Sequence, residues 1–111
     1  LYEGYFRSAA LDAMMFPTTI AAAPLIDLAN GSGKVSINGG APVDTFATYI
    51  RNTDPGSNAG LPGLQMPIGL GASSKLPVGL ELDGPAGSDR RLLAIGLALE
   101  PVLGRLGPPA K

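Results

Sequence analysis

The chain has 111 residues, which is enough for one domain and too few for two, and 45% of them are hydrophobic, which argues against a disordered chain. The net charge is −1 with no run of like charges, so the sequence lacks the basic face that a nucleic-acid partner requires. Cys and His are absent, which excludes disulfides, thiol nucleophiles, thiolate or imidazole metal sites and His-based triads. Charged residues make up only 15%, against roughly 25% in soluble domains, so we expect something else to cover part of the surface.

The first ten residues predict the last turns of an amphipathic helix, because Tyr2, Phe6 and Ala9 recur at helical spacing. The chain begins inside this pattern, at Leu1 rather than at Met, so we expect a segment of a longer protein. Residues 13–26 are too short and too interrupted by proline to span a bilayer, and no membrane partner is expected.

The apolar residues 13–16 predict a strand that is buried on both faces and ended by Pro17. Thr18 and Thr19 follow at its carboxyl end, where ligands collect in open α/β sheets. These two residues are therefore candidate pocket residues. The alternative is that their hydroxyls only satisfy local backbone groups.

The middle of the chain predicts two small elements. Residues 34–37 alternate and lead into Asn38-Gly39, which favours a ribbon with a type I′ turn. Residues 43–50 predict a short helix capped by Asp44 or Thr45, with its buried side formed by Phe46, Ala47 and Ile50.

The second half predicts a loop, two strands and a helix. Residues 52–62 are interpreted as a polar, rigid loop, and such loops often border sites. Residues 64–68 and 76–82 predict strands that pair antiparallel because their connection is short. Ser88 is the expected N-cap of a mostly buried helix over residues 89–103.

No catalytic constellation follows from these residues. Ser73, Ser74 and Lys75 lie in a surface loop with nothing nearby to form an oxyanion hole, so an autonomous Ser/Lys hydrolase is not supported. The carboxylates show no paired spacing on a common face, so general acid–base chemistry is not indicated for Asp27, Asp44, Asp54, Glu81, Asp83 or Asp89.

Four segments together resemble the amidase signature hydrolases: residues 12–19 (DAMMFPTT), 52–64 (NTDPGSNAGLPGL), 76–80 (LPVGL) and 83–93 (DGPAGSDRRLL). The wording is most similar to the branch of arylacetamide hydrolases, such as indoleacetamide and mandelamide hydrolases. The resemblance implies an α/β fold with a mixed sheet covered by helices, in which residues 1–111 form a single C-terminal segment without an internal boundary.

The resemblance also implies a Ser–cis-Ser–Lys triad that forms an acyl-enzyme from a carboxamide and releases ammonia, without a cofactor or metal. That triad lies in a Gly/Ser-rich region which nothing here matches, so the isolated chain is expected to be inactive. Its expected partners are the N-terminal catalytic part of the same protein and a small amide, in the cytoplasm. Candidates for one wall of the acyl pocket are Thr18, Thr19, Thr53, Asp54, Pro55, Gly56, Ser57 and Asn58.

Two further expectations concern the chain alone. If it folds by itself, the open apolar edges near Phe16 and Met66 predict self-association into a homo-oligomer. The alternative to an amidase segment is a non-catalytic small α/β interaction module.

Overall fold

The computed structural model describes residues 1–108 and contains both helices and strands, as the α/β class predicts. The elements in chain order are α1 (Tyr2–Ser8), β1 (Met14–Pro17), β2 (Lys34–Val35), β3 (Val43–Asp44), α2 (Thr45–Tyr49), α3 (Asp54–Asn58), β4 (Gly63–Leu70), β5 (Pro77–Asp83) and α4 (Asp89–Leu103).

The main sheet has three strands in the order β1-β5-β4, so β5 is its centre and β1 and β4 are its edges. β4 and β5 pair antiparallel, as their short connection predicts, with Leu64 opposite Leu82. A register shift interrupts this pairing between Pro67 and Gly69. β1 is also antiparallel to β5, so the described residues contribute antiparallel pairs to the mixed sheet that the family resemblance implies.

Helix α4 covers one face of this sheet and has the bounds that the sequence predicts. A side chain at Gly96 would collide with Leu64 of β4, so glycine permits the close approach of helix and sheet. The prediction that the helix is mostly buried is wrong for this chain, since Leu93 is 56% and Leu97 70% exposed. The described residues cover only the inner side of α4. Ser88 occupies the N-cap position, but its hydroxyl makes no capping hydrogen bond.

The prediction that β1 is buried on both faces is also wrong. Its residues alternate between half-buried and exposed, and Met15 is 64% exposed. β1 lies at the edge of the sheet, where only one side of the strand has a hydrogen-bonded neighbour. The strand ends at Pro17, as predicted.

The ribbon formed by β2 and β3 is confirmed, together with its turn. Asn38 and Gly39 have φ angles of 52° and 74°, the left-handed values that a type I′ turn requires. The Asp44 side chain caps α2 by accepting a hydrogen bond from the Ala47 backbone at 2.7 Å. The predicted buried side of α2 is wrong, because Phe46 is 73% exposed. Ala47 is exposed as well, Ile50 is half-buried, and Thr48 is the buried residue of this helix.

Residues 52–62 are not wholly a loop, because the five residues of α3 form a short helix within them. Pro55 lies in the first turn of α3, where its missing N–H breaks no helical hydrogen bond. Glycine and proline concealed this helix from the sequence pattern, which reads them as loop residues.

The buried apolar core is small. Only Phe6, Leu82 and Leu92 are buried hydrophobic residues within 1–108, and many large apolar side chains are exposed. The radius of gyration is 16.2 Å, compared with about 13 Å for a compact chain of this size. None of the helices in the described range is both long and apolar enough to cross a membrane. The small core and the exposed apolar side chains fit a segment whose apolar surfaces are completed by further polypeptide.

Candidate functional site

The face of the sheet opposite α4 carries two neighbouring carboxylates. β5 continues through Asp83 rather than ending at residue 82, so Glu81 and Asp83 point to the same side of the strand. The prediction that the carboxylates share no common face is therefore wrong for this pair. The alternation of Leu80, Glu81, Leu82 and Asp83 was the signal in the sequence, but the Asp-Gly-Pro that follows favoured a turn at Asp83. We call the surface formed by Gly79, Glu81 and Asp83 the acidic face.

Two glycines form close walls around the acidic face. A side chain at Gly56 of α3 would collide with the Asp83 carboxylate. A Cβ atom at Gly63 of β4 would lie 2.9 Å from Glu81 Oε1 and 3.3 Å from Asp83 Oδ1. Both positions therefore require glycine if the carboxylates keep these orientations.

Burial disfavours the charged form of both acids. It raises the pKa of the Asp83 carboxyl, and Asp83 is only 6% exposed. Burial also raises the pKa of Glu81, and the nearby Asp83 charge raises it further. The Thr18 hydroxyl acts in the opposite direction on the Glu81 pKa, although its geometry falls short of a formed hydrogen bond.

Thr18 lies at the other end of the acidic face. Its backbone N–H donates to the Gly79 carbonyl at 3.0 Å, and its side chain packs over Gly79 together with Gln65. The Thr18 Oγ1 atom is buried and has no hydrogen-bond partner within residues 1–108. Thr19 differs, because its hydroxyl donates to the Ala21 carbonyl at 2.8 Å, as the local-satisfaction alternative predicts.

The remaining predicted wall residues lie in or beside α3. Gly56 is buried against Asp83, and the Thr53 hydroxyl donates to the Ile50 carbonyl at 3.3 Å. The other members of the set are exposed: Asp54, Pro55, Ser57 and Asn58. The structure thus brings Thr18 and Gly56 to one face of β5, separated by about 13 Å along the strand. It does not bring the exposed residues to that face.

A hydrogen bond and a groove connect α3 with β1. The Asn52 side-chain amide donates to the Pro17 carbonyl at 2.7 Å, which fixes the entry of α3 against the end of β1. Below it lies an open groove of about 280 Å³, lined by Tyr2, Met14, Phe16, Arg51, Asn52, Pro55 and Asp83. Within residues 1–108, no three His, Cys, Asp or Glu side chains are placed to hold a metal ion.

The comparison with known families explains this arrangement. A family model described as amidase matches residues 1–93, more than four fifths of the chain. The chain belongs to the amidase family. The resemblance seen in the four sequence segments is therefore confirmed.

Named relatives narrow the kinship. The chain is 57% identical over 99 residues to the indoleacetamide hydrolase of Agrobacterium vitis, covering 89% of this chain and 20% of that protein. It is 42% identical over 110 residues to the mandelamide hydrolase of Pseudomonas putida, covering 99% and 20%. One component of the glutamyl-tRNA(Gln) amidotransferase of Paenarthrobacter aurescens (strain TC1) is 44% identical over 62 residues, covering 54% and 12%. No solved structure matches the chain significantly.

The chain spans about a fifth of the length of these two hydrolases. Its serine and lysine residues in the β4–β5 connection are not arranged as a nucleophile and base. The Ser74 hydroxyl instead accepts a hydrogen bond from the Leu76 backbone at 3.3 Å, inside a turn closed by a bond from Gly71 N–H to the Leu76 carbonyl. This amidase segment thus uses Ser74 to form a turn.

Proposed function

We propose that this chain is the C-terminal part of an amidase that hydrolyses an arylacetamide, such as indoleacetamide or mandelamide, to the carboxylic acid and ammonia. The Ser–cis-Ser–Lys triad lies in the N-terminal part of the same protein. Its nucleophilic serine forms the acyl-enzyme and releases ammonia, and water then completes hydrolysis. The protein acts in the cytoplasm, which fits a chain without Cys.

The observation that carries this proposal is the identity of 57% and 42% to relatives named for these two amides, over nearly the whole chain. The match is not confined to one motif, because it includes the strands, α3 and most of α4. The amidotransferase component matches only about half of this chain, which favours an arylacetamide over a tRNA-linked substrate.

The chain's own contribution is structural support and one wall of the acyl pocket. The three strands and α4 complete the central sheet. Thr18, whose buried hydroxyl lacks a partner within residues 1–108, is placed to meet a group from outside the chain. The segment from Thr53 to Asn58 extends the wall, with Gly56 anchoring it against β5.

The test is an assay of the protein encoded by the whole reading frame that contains residues 1–111. Purified protein is incubated with indole-3-acetamide, mandelamide and acetamide, and both ammonia and the acid are quantified. We expect the two arylacetamides to turn over at least tenfold faster than acetamide. A frame that encodes no Gly/Ser-rich segment, or a protein inactive on all three amides, would overturn the proposal and favour an interaction module.

The isolated 111-residue chain provides the matched control. We expect it to release no ammonia from indole-3-acetamide above a buffer blank, because the reacting groups lie elsewhere. Turnover by the chain alone would show that it contains a nucleophile, contrary to the proposed division of roles.

A further inference from the structure

We propose that the acidic face binds one cationic side chain, an arginine guanidinium or a lysine ammonium, supplied by the part of the amidase outside this chain. The inference rests on the proposed function, because it requires that a larger body of polypeptide packs on this face. It adds a specific contact and names the chemistry of the group that makes it.

The first observation is a buried carboxylate without a partner. Asp83 is 6% exposed and lines the groove beside α3. Within residues 1–108, no cation lies within ion-pair distance of it and no donor bonds to its carboxylate. Buried charges in proteins are paired, since an uncompensated charge in a region of low dielectric constant is costly.

A second, independent observation is the unsatisfied Thr18 hydroxyl. Its Oγ1 atom is buried beside Glu81 and has no hydrogen-bond partner in the described chain. A hydroxyl can accept a hydrogen bond from a cationic donor while neighbouring carboxylates balance the charge. Thr18 and the two acids thus present acceptors in a row along β5.

The geometry suits one elongated cation. Glu81 and Asp83 are two residues apart on one strand, so their Cα atoms are separated by roughly 7 Å. Gly56 and Gly63 press against the carboxylates and keep them facing the same space. A guanidinium has several N–H donors on one plane and can bridge two carboxylates at this spacing.

Groups in the described chain do not fill this role. Arg51 lines the groove but is exposed and forms no ion pair within residues 1–108. The ion pairs that do form, Arg91 with Asp12 and Arg105 with Glu100, lie elsewhere. A metal ion is disfavoured, since no third His, Cys, Asp or Glu of the described range joins the pair.

The test uses a chimera in which this chain replaces the matching segment of the Agrobacterium vitis indoleacetamide hydrolase. Asp83→Asn and Glu81→Gln are compared with Asp89→Asn, a carboxylate exposed in the first turn of α4. Hydrogen exchange of the β5 amides is measured by mass spectrometry. We expect Asp83→Asn to accelerate exchange about thirtyfold or more, because it leaves a buried cation unpaired, and Asp89→Asn to change it less than threefold.

A direct readout accompanies the variants. In ¹³C NMR spectra of the wild-type chimera, the cation should hold the Asp83 pKa below its ordinary value. Unchanged exchange in Asp83→Asn, or an Asp83 pKa still raised in the chimera, would overturn the inference. So would loss of the effect when Arg51→Ala is added, which would make Arg51 the partner.

The two proposals fail in different ways. A folded wild-type chimera without activity on indole-3-acetamide would overturn the proposed function, and the acidic site with it. An active chimera in which Asp83→Asn and Asp89→Asn behave alike would overturn the acidic site only.

Discussion

Two leucines of the sheet–helix layer give opposite expectations when replaced by alanine in the 111-residue chain. Leu82 lies on the central strand β5 and is 2% exposed, whereas Leu97 of α4 is 70% exposed. Removing a buried leucine side chain costs about 2–5 kcal/mol, since transfer and cavity terms add. We therefore expect Leu82→Ala to lower the free energy of unfolding by about 3 kcal/mol.

The effect at Leu97 follows from its exposure. Full burial of a leucine side chain stabilises by about 2 kcal/mol, and Leu97 keeps roughly a third of its surface away from water. The expected cost of Leu97→Ala in the chain alone is thus about 0.5 kcal/mol. In the chimera, where further polypeptide covers α4, the cost should rise to about 2 kcal/mol or more.

Urea unfolding followed by far-ultraviolet circular dichroism measures both changes in the chain, and hydrogen exchange of α4 measures Leu97→Ala in the chimera. The reasoning would be refuted if Leu82→Ala and Leu97→Ala cost the same in the isolated chain. An unchanged Leu97→Ala cost in the chimera would refute the claim that α4 is covered. The small core makes the comparison sensitive, because a loss of about 3 kcal/mol is a large part of the roughly 5–15 kcal/mol that stabilises a domain.

Three further predictions concern the chain alone. Gly56→Ala places a methyl group on the Asp83 carboxylate and should cost about 1–3 kcal/mol in urea unfolding; its control, Gly4→Ala, meets no neighbour and should add about 0.5–1 kcal/mol, so similar effects would contradict the packing of α3. The raised pKa of Asp83 and Glu81 means that the folded chain binds protons more tightly than the unfolded chain. Their contribution is complete below about pH 3.8 and is lost as pH rises through the folded pKa values. Asp83→Asn should therefore stabilise the isolated chain at about pH 7 but not at about pH 3, and stabilisation that does not depend on pH would refute this. Asp44→Ala should cost about 1 kcal/mol by removing the cap of α2, and a loss below about 0.3 kcal/mol would show that the cap contributes little.

The sequence predicted the elements whose pattern is local. The bounds of α4, the antiparallel pairing of β4 with β5 and the Asp44 cap all follow from spacing and short connections. The left-handed turn at Asn38 also follows from residue type alone.

Burial was predicted less well, because it depends on what lies beside an element. Met15 and Phe46 are apolar in the sequence and exposed in the structure, since the described chain offers nothing to cover them. A pattern of apolar residues records the surroundings of the whole protein. It cannot indicate which part of the chain supplies them.

The candidate site was predicted only in part. Thr18 was selected because it follows a strand, and it does lie against the acidic face, beside Gly79. Glu81 and Asp83 were missed because the strand was ended one residue too early, which separated two acids that share a face. Pairing with β1 and β4 extends β5 to Asp83, and no local pattern contains that information.

The most direct test of the central claim is the turnover of indole-3-acetamide by the chimera that carries residues 1–111 in the Agrobacterium vitis hydrolase. A parallel chimera carrying the matching segment of the Paenarthrobacter aurescens amidotransferase is the control. We expect the first to keep kcat/KM within about tenfold of the parent enzyme and the second to lose more. A folded first chimera that releases no ammonia would contradict the assignment of this chain to an arylacetamide amidase.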